Sequence, residues 1–147
     1  MIKDAFCKKH ILRQVFYRTD HFMVAYNIKP VLPGHTLVIP RRHVLDITEL
    51  TAQEFSEIYY ILKKVKPVLL ERYSADSYDL AVQIGRHSGR TVPHLHMHII
   101  PRGKQDPYQL GNNNKLYENL EKERLSADVS KEIVALRKIF GCKLKML

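Results

Sequence analysis

Residues 94–100 constrain the fold most, because histidine and aliphatic side chains alternate along them in the order His-Leu-His-Met-His-Ile-Ile. Strict alternation predicts a β-strand with two different faces, since successive side chains of a strand point to opposite sides. His94, His96 and His98 would then share one face at intervals of roughly 6.5–7 Å. The aliphatic side chains of the other face are expected to pack against a helix.

Other segments predict short strands and helices. Apolar residues recur at helical spacing after Thr51, which begins a capping-box sequence, and Pro67 is expected to kink or end that helix. Further helices are predicted around residues 116–120 and over residues 129–140. Strands in neighbouring hairpins with helices gathered elsewhere predict an α+β domain on a mostly antiparallel sheet. The other predicted strands span residues 15–17, 22–26, 35–39 and 78–84.

The size and composition favour one domain, residues 1–147, with an anionic partner. The formal net charge is +9, which suits a nucleotide, a nucleic acid or an acidic surface. Cys7 and Cys142 lie near opposite ends of the chain and are expected to be reduced thiols of a cytosolic protein. No stretch is long and apolar enough to cross a bilayer, and residues 1–4 lack the order of a secretory signal. We therefore expect a cytoplasmic location, with the nucleus as an alternative, and no membrane partner.

The face with the three histidines is predicted to be functional. The same alternation places Gln83 on that face, and His35 and Asn27 on neighbouring strands are expected to join it. The Gly-Arg-Thr sequence of residues 89–91 precedes the triad. A glycine lets the backbone approach an anion, and a guanidinium and a hydroxyl can bind it.

Imidazoles on one face suit nucleotidyl transfer. An imidazole is a good nucleophile near neutral pH because its ordinary pKa is about 6.5. Attack on phosphorus would split one hard displacement into two easier ones. A neighbouring charged imidazole can protonate the departing phosphate oxygen, and a glutamine amide can orient the nucleophile or donate to phosphate.

A zinc site is an alternative use of the three histidines, since histidine is the commonest metal ligand. Alternate positions on one strand do not converge on a tetrahedral point, however, and no cysteine lies near the triad in the sequence. We therefore predict no resident metal site. His10, His21 and His43 are expected to be surface or turn residues.

Residues 94–100 resemble the signature of the histidine-triad family, which is His-x-His-x-His followed by two apolar residues. Residues 27–40 are similar to the turn and strand of that family, and residues 89–94 resemble the loop that enters the triad. The likeness runs from about residue 16 to about residue 117 and favours the fragile histidine triad branch, the dinucleoside triphosphate hydrolases. It implies a five-stranded antiparallel sheet with two main helices, and a homodimer with one continuous sheet.

The resemblance also implies an activity and the residues that perform it. Diadenosine triphosphate would be cleaved to AMP and ADP through a covalent histidine–nucleotide intermediate, with a divalent cation such as magnesium or manganese and no organic cofactor. His96 would be the nucleophile, His98 would contact the phosphates and assist the leaving group, and His35 and His94 would orient the site. The remaining contacts carried over are Gln83, Gly89, Arg90, Thr91 and Val92 with the phosphate chain, Asn27 with the ribose and Leu37 with the base. Residues before 16 align poorly, so Phe6 is assigned no contact.

Three other functions stay open. One is a nucleoside phosphoramidate hydrolase, although the chains of that branch end soon after the triad and about a third of this chain follows His98. Another is a signalling protein whose slow hydrolysis ends its nucleotide-bound state, in which a His96→Asn variant would keep binding and function. The third is nucleic-acid binding, but the basic residues are spread along the chain without the aromatic platform such proteins use.

Overall fold

The computed structural model describes residues 4–109, 113–120 and 128–143. A five-stranded antiparallel sheet organises them, with the spatial order β1-β2-β3-β5-β4. The predicted α+β class and antiparallel sheet are confirmed. The strands are β1 (Val15–Arg18), β2 (Phe22–Tyr26), β3 (Thr36–Pro40), β4 (Ser77–Val82) and β5 (Met97–Arg102). The helices are α1 (Ala52–Arg72), α2 (Asn113–Leu120) and α3 (Ser130–Phe140), with short 3-10 turns at Lys9–Arg13, Ile47–Glu49 and Arg86–Ser88.

The long helix α1 covers one face of the sheet. The predicted capping box is confirmed, because the Glu54 N–H donates to the Thr51 hydroxyl (3.1 Å) and the Thr51 N–H donates to the Glu54 carboxylate (2.8 Å). The helix continues through Pro67 to Arg72, so the early end, one of the two expected outcomes, is wrong, and the kink stays a prediction. Burial of apolar side chains on both sides of the proline offsets the lost backbone hydrogen bond. The buried side chains of α1 that meet the sheet are Ile58, Ile61, Val65 and Leu69, and they share a core with Val38, Met97 and Ile99.

The opposite face of the sheet has two regions, one covered by apolar side chains and one that carries histidines. Residues 6–14 fold over β1, β2 and β3 and enclose a second apolar cluster there, which includes Ile11, Met23 and Ile39. The buried Arg137 of α3 fastens this segment by donating to the carbonyl oxygens of Val15 (2.8 Å) and Leu12 (2.7 Å). The histidine-bearing half lies beside it, where β3 meets β5.

The strand that carries the triad begins later than predicted. β5 pairs with β3 only from Met97 onward, so residues 94–96 precede the ladder. Pro40, at the end of β3, has no N–H to continue the pairing, and the Leu95 N–H donates instead to the Val44 carbonyl (2.7 Å). Within the described residues, no helix has the length and apolar character needed to cross a membrane.

Candidate active site

A cavity of about 540 Å³ opens on the face of the sheet opposite α1. Leu37 on β3 pairs directly with His98 on β5, so these two side chains enter the cavity from neighbouring strands. His35 and His94 are fully buried and do not line the cavity. The structure thus brings together, as lining residues, Asn27, Leu37, Thr91, Val92, His96 and His98 of the predicted site.

His96 is oriented by the backbone two residues before it. Its Nδ1 lies 2.8 Å from the carbonyl oxygen of His94, and since a carbonyl can only accept, Nδ1 carries the proton. The lone pair of the neutral ring is then on Nε2. Phe6 packs edge-on against the His96 ring, with 5.1 Å between ring centroids. The nitrogen of the neutral His96 ring that could act as a nucleophile is therefore Nε2.

His98 is oriented by a relay that starts at the backbone of the turn before β3. The Val31 N–H donates to Nδ1 of His35 (3.0 Å), so the proton of the neutral His35 ring is on Nε2. That Nε2 lies 2.9 Å from Nδ1 of His98 and donates to it. The proton of the neutral His98 ring is therefore on Nε2, which makes this nitrogen a hydrogen-bond donor for a phosphate oxygen.

Asn27 lies just beyond the end of β2, next to His35. Its Oδ1 accepts from the Lys29 N–H (2.9 Å), and its Nδ2 lies 3.5 Å from Nε2 of His35. The hydrogen bond from Lys29 therefore orients the Asn27 amide at the edge of the cavity. Leu37 is 4% exposed and gives the neighbouring part of the wall an apolar surface.

Three predicted phosphate contacts lie in the loop beside the cavity and do not line it. The Gln83 side chain donates to the Ser88 carbonyl (2.8 Å), and its Oε1 is buried without a hydrogen-bond partner among the described residues. Gly89 lies against this amide with a positive φ of +99°. Arg90 donates to the Leu45 carbonyl (3.0 Å). The roles predicted for Gln83, Gly89 and Arg90 stay predictions.

Sequence reasoning missed the N-terminal wall of the cavity. Phe6 and Ile11 line it, and so does His10, which was expected to be only a surface residue. Lys8 and Lys29 also line the cavity. This wall is therefore basic as well as apolar. The N-terminal segment contains only a short 3-10 turn, Lys9–Arg13. Its apolar residues therefore lack the regular spacing by which a helix or a strand is predicted from sequence.

The structure also corrects the expectation that no cysteine lies near the triad. The Cys7 Sγ is 3.5 Å from Nδ1 of His94, because residues 4–7 return to the triad from the far end of the sequence. His43 is not a simple surface residue either, since its Nδ1 lies 2.7 Å from the Asp4 carboxylate. His21, by contrast, lies in the predicted turn between β1 and β2 and pairs with Glu57.

The fold and the site together define a histidine-triad protein. The sheet is five-stranded and antiparallel, and histidines occupy every second position from 94 to 98 beside a cavity. The sequence profile of the HIT domain matches residues 8–105. The chain belongs to the HIT family, in its fragile histidine triad branch.

Named relatives are similar over most of the chain. It is 38% identical over 130 residues to the bis(5'-adenosyl)-triphosphatase of Dictyostelium discoideum, covering 86% of this chain and 85% of that protein. It is 42% identical over 117 residues to the asymmetrical bis(5'-nucleosyl)-tetraphosphatase of Schizosaccharomyces pombe, covering 80% of this chain and 63% of that one. The crystal structure of the Caenorhabditis elegans NitFhit protein superimposes with a TM-score of 0.67 at 35% identity, covering 86% of this chain and 27% of that one.

Proposed function

We propose that this chain hydrolyses dinucleoside polyphosphates, cleaving diadenosine triphosphate to AMP and ADP through a covalent nucleotide on His96. The observation that carries the proposal is the pair of complementary rings in the cavity. Nε2 of His96 has the lone pair, and Nε2 of His98 has the proton. The two ring centroids are 4.9 Å apart, so a nucleophile and a hydrogen-bond donor can act on one phosphate group.

In the first step, Nε2 of His96 attacks the α-phosphorus and forms a P–N bond. The bond from that phosphorus to the bridging oxygen breaks, and ADP leaves with the electron pair. No proton transfer is required, because a phosphate with a second pKa of about 6 leaves as an anion. The N–H of His98 stabilises the charge on the phosphate oxygens, and the His94 carbonyl stabilises the positive ring of adenylylated His96.

In the second step, water attacks the same phosphorus from the side that ADP has left. The P–N bond breaks, AMP is released, and the electron pair returns to Nε2 of His96. The water proton passes to solvent. Each turnover therefore consumes one dinucleotide and one water and restores the original state of both rings.

The lining of the cavity supports an anionic substrate with flat, apolar ends. Lys8, His10 and Lys29 offer positive charge or N–H donors to a phosphate chain. Leu37 and Ile28 offer apolar surface for a base. Two of the relatives are named for triphosphate and for tetraphosphate substrates, and both chain lengths therefore belong in the test.

We also propose that magnesium or manganese acts while bound to the phosphate chain. The side chains that line the cavity offer imidazole, amine and amide groups, and none of those described is a carboxylate. A hard divalent cation prefers oxygen ligands, so here they would come from the substrate and from water. Such a cation would neutralise the phosphate chain and assist the departure of ADP.

We further propose a homodimer that pairs through β4. This strand is at the edge of the sheet, where unpaired backbone groups can accept a second copy. Tyr78 and Leu80 on β4 are 38% and 44% exposed, and Phe55 and Tyr59 on α1 add further exposed apolar surface. Light scattering should give the mass of a dimer for the natural chain and of a monomer for Leu80→Asp. The cytoplasmic location expected above stays a prediction.

Initial rates on diadenosine triphosphate, diadenosine tetraphosphate and adenosine phosphoramidate test the proposed activity. The natural chain should cleave a dinucleotide at the highest kcat/KM, and His96→Asn should lose ~10⁴-fold or more because the nucleophile is absent. His21→Asn is the matched control, since His21 lies outside the cavity, and it should retain the natural rate. Preference for the phosphoramidate, or near-normal activity of His96→Asn, would contradict the proposal.

A further inference from the structure

The turn that leads into β3 is fastened from the face of the sheet opposite the cavity. Residues 30–34 include two prolines, which lack N–H groups, so the turn has few donors of its own. The Gly34 N–H donates to the hydroxyl of Tyr26 (2.8 Å), whose side chain is buried in the core beneath α1. The next residue, His35, orients His98 in the cavity on the other face. The backbone of this turn thus connects the core to the catalytic pair.

Tyr26 belongs to a chain of hydrogen bonds that ends at a carboxylate on α3. Its hydroxyl is hydrogen-bonded to the hydroxyl of Tyr73, the residue that follows α1, and the two ring centroids are 6.2 Å apart. The Tyr73 hydroxyl donates to Oε2 of Glu132 (2.6 Å), and the Arg72 guanidinium donates to the same oxygen (2.9 Å). Glu132 lies beyond residues 8–105, the part that the HIT profile matches, so family membership alone assigns it no role.

Every proton in this chain points toward Glu132. Burial alone raises the pKa of Glu132, but the hydrogen bonds from the Tyr73 hydroxyl and the Arg72 guanidinium outweigh it and lower the pKa, so the carboxylate is ionised. Tyr73 gives its one proton to that carboxylate and can only accept from Tyr26, which in turn accepts from the Gly34 N–H. Burial raises the pKa of both tyrosines, so both hydroxyls keep their protons at neutral pH. Donors and acceptors therefore alternate in one direction, and each bond polarises the next.

The position of the turn selects one of two proton arrangements in the histidine pair. In the first, the Val31 N–H donates to Nδ1 of His35, Nε2 of His35 donates to Nδ1 of His98, and Nε2 of His98 keeps its proton for a phosphate. In the second, both rings are in the other tautomer, and Nε2 of His98 presents a lone pair that repels a phosphate oxygen. The second arrangement needs a proton on Nδ1 of His35. The Val31 N–H opposes that proton as long as the turn keeps its place.

We propose that Tyr26, Tyr73 and Glu132 are positioning residues, which keep His98 in the tautomer that donates to a phosphate. None of the three lines the cavity, so they act through the turn and not on the substrate. The proposal rests on the proposed function, because the proton on Nε2 of His98 matters for a phosphate substrate. It gives α3, through Glu132, an influence on the catalytic pair from the other face of the sheet.

Removal of the Tyr26 hydroxyl should release the turn. The Gly34 N–H would lose its acceptor in a space that neighbouring side chains already fill, and a buried donor without a partner is unfavourable. The turn would move to satisfy that donor, and the Val31 N–H would no longer fix the proton of His35. Both tautomers of the histidine pair would then be populated.

NMR of the imidazole nitrogens tests the proposal in the absence of substrate. With nitrogen-15 histidine, at a pH where the rings are neutral, two-bond proton–nitrogen spectra show which ring nitrogen is protonated. Single substitutions of His35 and His98 assign their signals. The natural chain should carry the proton on Nε2 of both rings. Tyr26→Phe, which removes the hydroxyl and keeps the ring, should show a mixture of both tautomers.

Four further variants separate the hydrogen-bond chain from ordinary packing, and they complete the test if Tyr26→Phe does not fold. Tyr73→Phe and Glu132→Leu should shift the tautomers in the same direction but less, because they leave the Tyr26 hydroxyl in place. Glu132→Gln keeps an acceptor for Tyr73 and should keep the natural spectrum. Tyr17→Phe is the matched control and should also keep it, since the Tyr17 ring packs against α3 but its hydroxyl is not part of the chain of hydrogen bonds.

Steady-state rates on diadenosine triphosphate provide a second readout. Complete loss of one preorganised donor costs about 10²–10³-fold in kcat, so the partial loss in Tyr26→Phe should lower kcat roughly 10–100-fold and change KM less than about threefold. The proposal is overturned if the folded hydroxyl variants keep the single natural tautomer, whatever their rates, or if they show mixed tautomers with the natural kcat. Absence of cleavage by the natural chain would contradict the proposed function, while the NMR spectra would still decide whether Tyr26, Tyr73 and Glu132 set the tautomer.

Discussion

Gly34, in the turn that leads to His35 and β3, is the described glycine at which one added methyl group should be most destabilising. Its φ is +88°, and a Cβ there would lie 2.6 Å from Cδ2 of Tyr73 and 2.8 Å from Cγ of Pro101. The residue cannot easily move away, because its N–H donates to the buried Tyr26 hydroxyl (2.8 Å). The left-handed backbone costs a non-glycine residue about 1–2 kcal/mol, and overfilling a packed site costs about 1–3 kcal/mol. Gly34→Ala should therefore lower the free energy of unfolding by about 2–5 kcal/mol.

Gly141→Ala is the matched control for the backbone contribution. Gly141 also has a positive φ, +64°, but none of the described atoms lies within 4 Å of the added Cβ. It should lose only about 1–2 kcal/mol. Urea unfolding followed by circular dichroism measures both variants, with comparable slopes as evidence that the unfolded states are alike. Equal losses in the two variants would refute the packing of Tyr73 and Pro101 around Gly34.

Three further predictions concern acid stability, the base site and the loop. The Arg42 guanidinium and the Thr51 N–H lower the pKa of Glu54 from its ordinary value of 4.5 to about 2. The ionised Glu54 carboxylate therefore stabilises the fold fully above pH 4.5, and this stabilisation is lost as the pH falls toward 2. Glu54→Gln should flatten the pH dependence of the unfolding midpoint across that window, and an unchanged slope would contradict the ion pair. Leu37→Ala should raise KM for a dinucleotide more than it lowers kcat, as steady-state rates would show, because Leu37 offers apolar surface to the base and no group to the reaction. Gly89→Ala should destabilise the loop by about 1–2 kcal/mol in urea unfolding, since its φ is +99°, and no loss would mean that the loop adopts another conformation.

Local sequence patterns predict much of the sheet and several of the residues that line the cavity. The alternation in residues 94–100 correctly predicted that Met97 and Ile99 face a helix and that His98 faces away from it. β2 has the bounds expected from the sequence, and the cap at Thr51 is present. These features succeed because each depends on side chains close together in sequence.

The features that failed depend on contacts between distant segments. The late start of β5 reflects the missing N–H of Pro40, on a strand more than fifty residues earlier. The approach of Cys7 to His94 depends on how residues 4–14 cross the sheet, and no local pattern describes that path. The same segment supplies Phe6 to the cavity, where the sequence assigned no contact. Arg90 likewise contacts a distant segment, since it donates to the Leu45 carbonyl, and its predicted phosphate contact stays a prediction.

Intact-protein mass spectrometry after brief exposure to diadenosine triphosphate, with acid avoided throughout, tests the central claim most directly. The natural chain should gain the mass of one adenylyl group, and peptide mapping should place it on His96. His96→Ala should gain nothing, while His21→Ala should gain the same mass as the natural chain. An adduct on another residue, or full conversion to AMP and ADP by His96→Ala, would contradict the covalent mechanism.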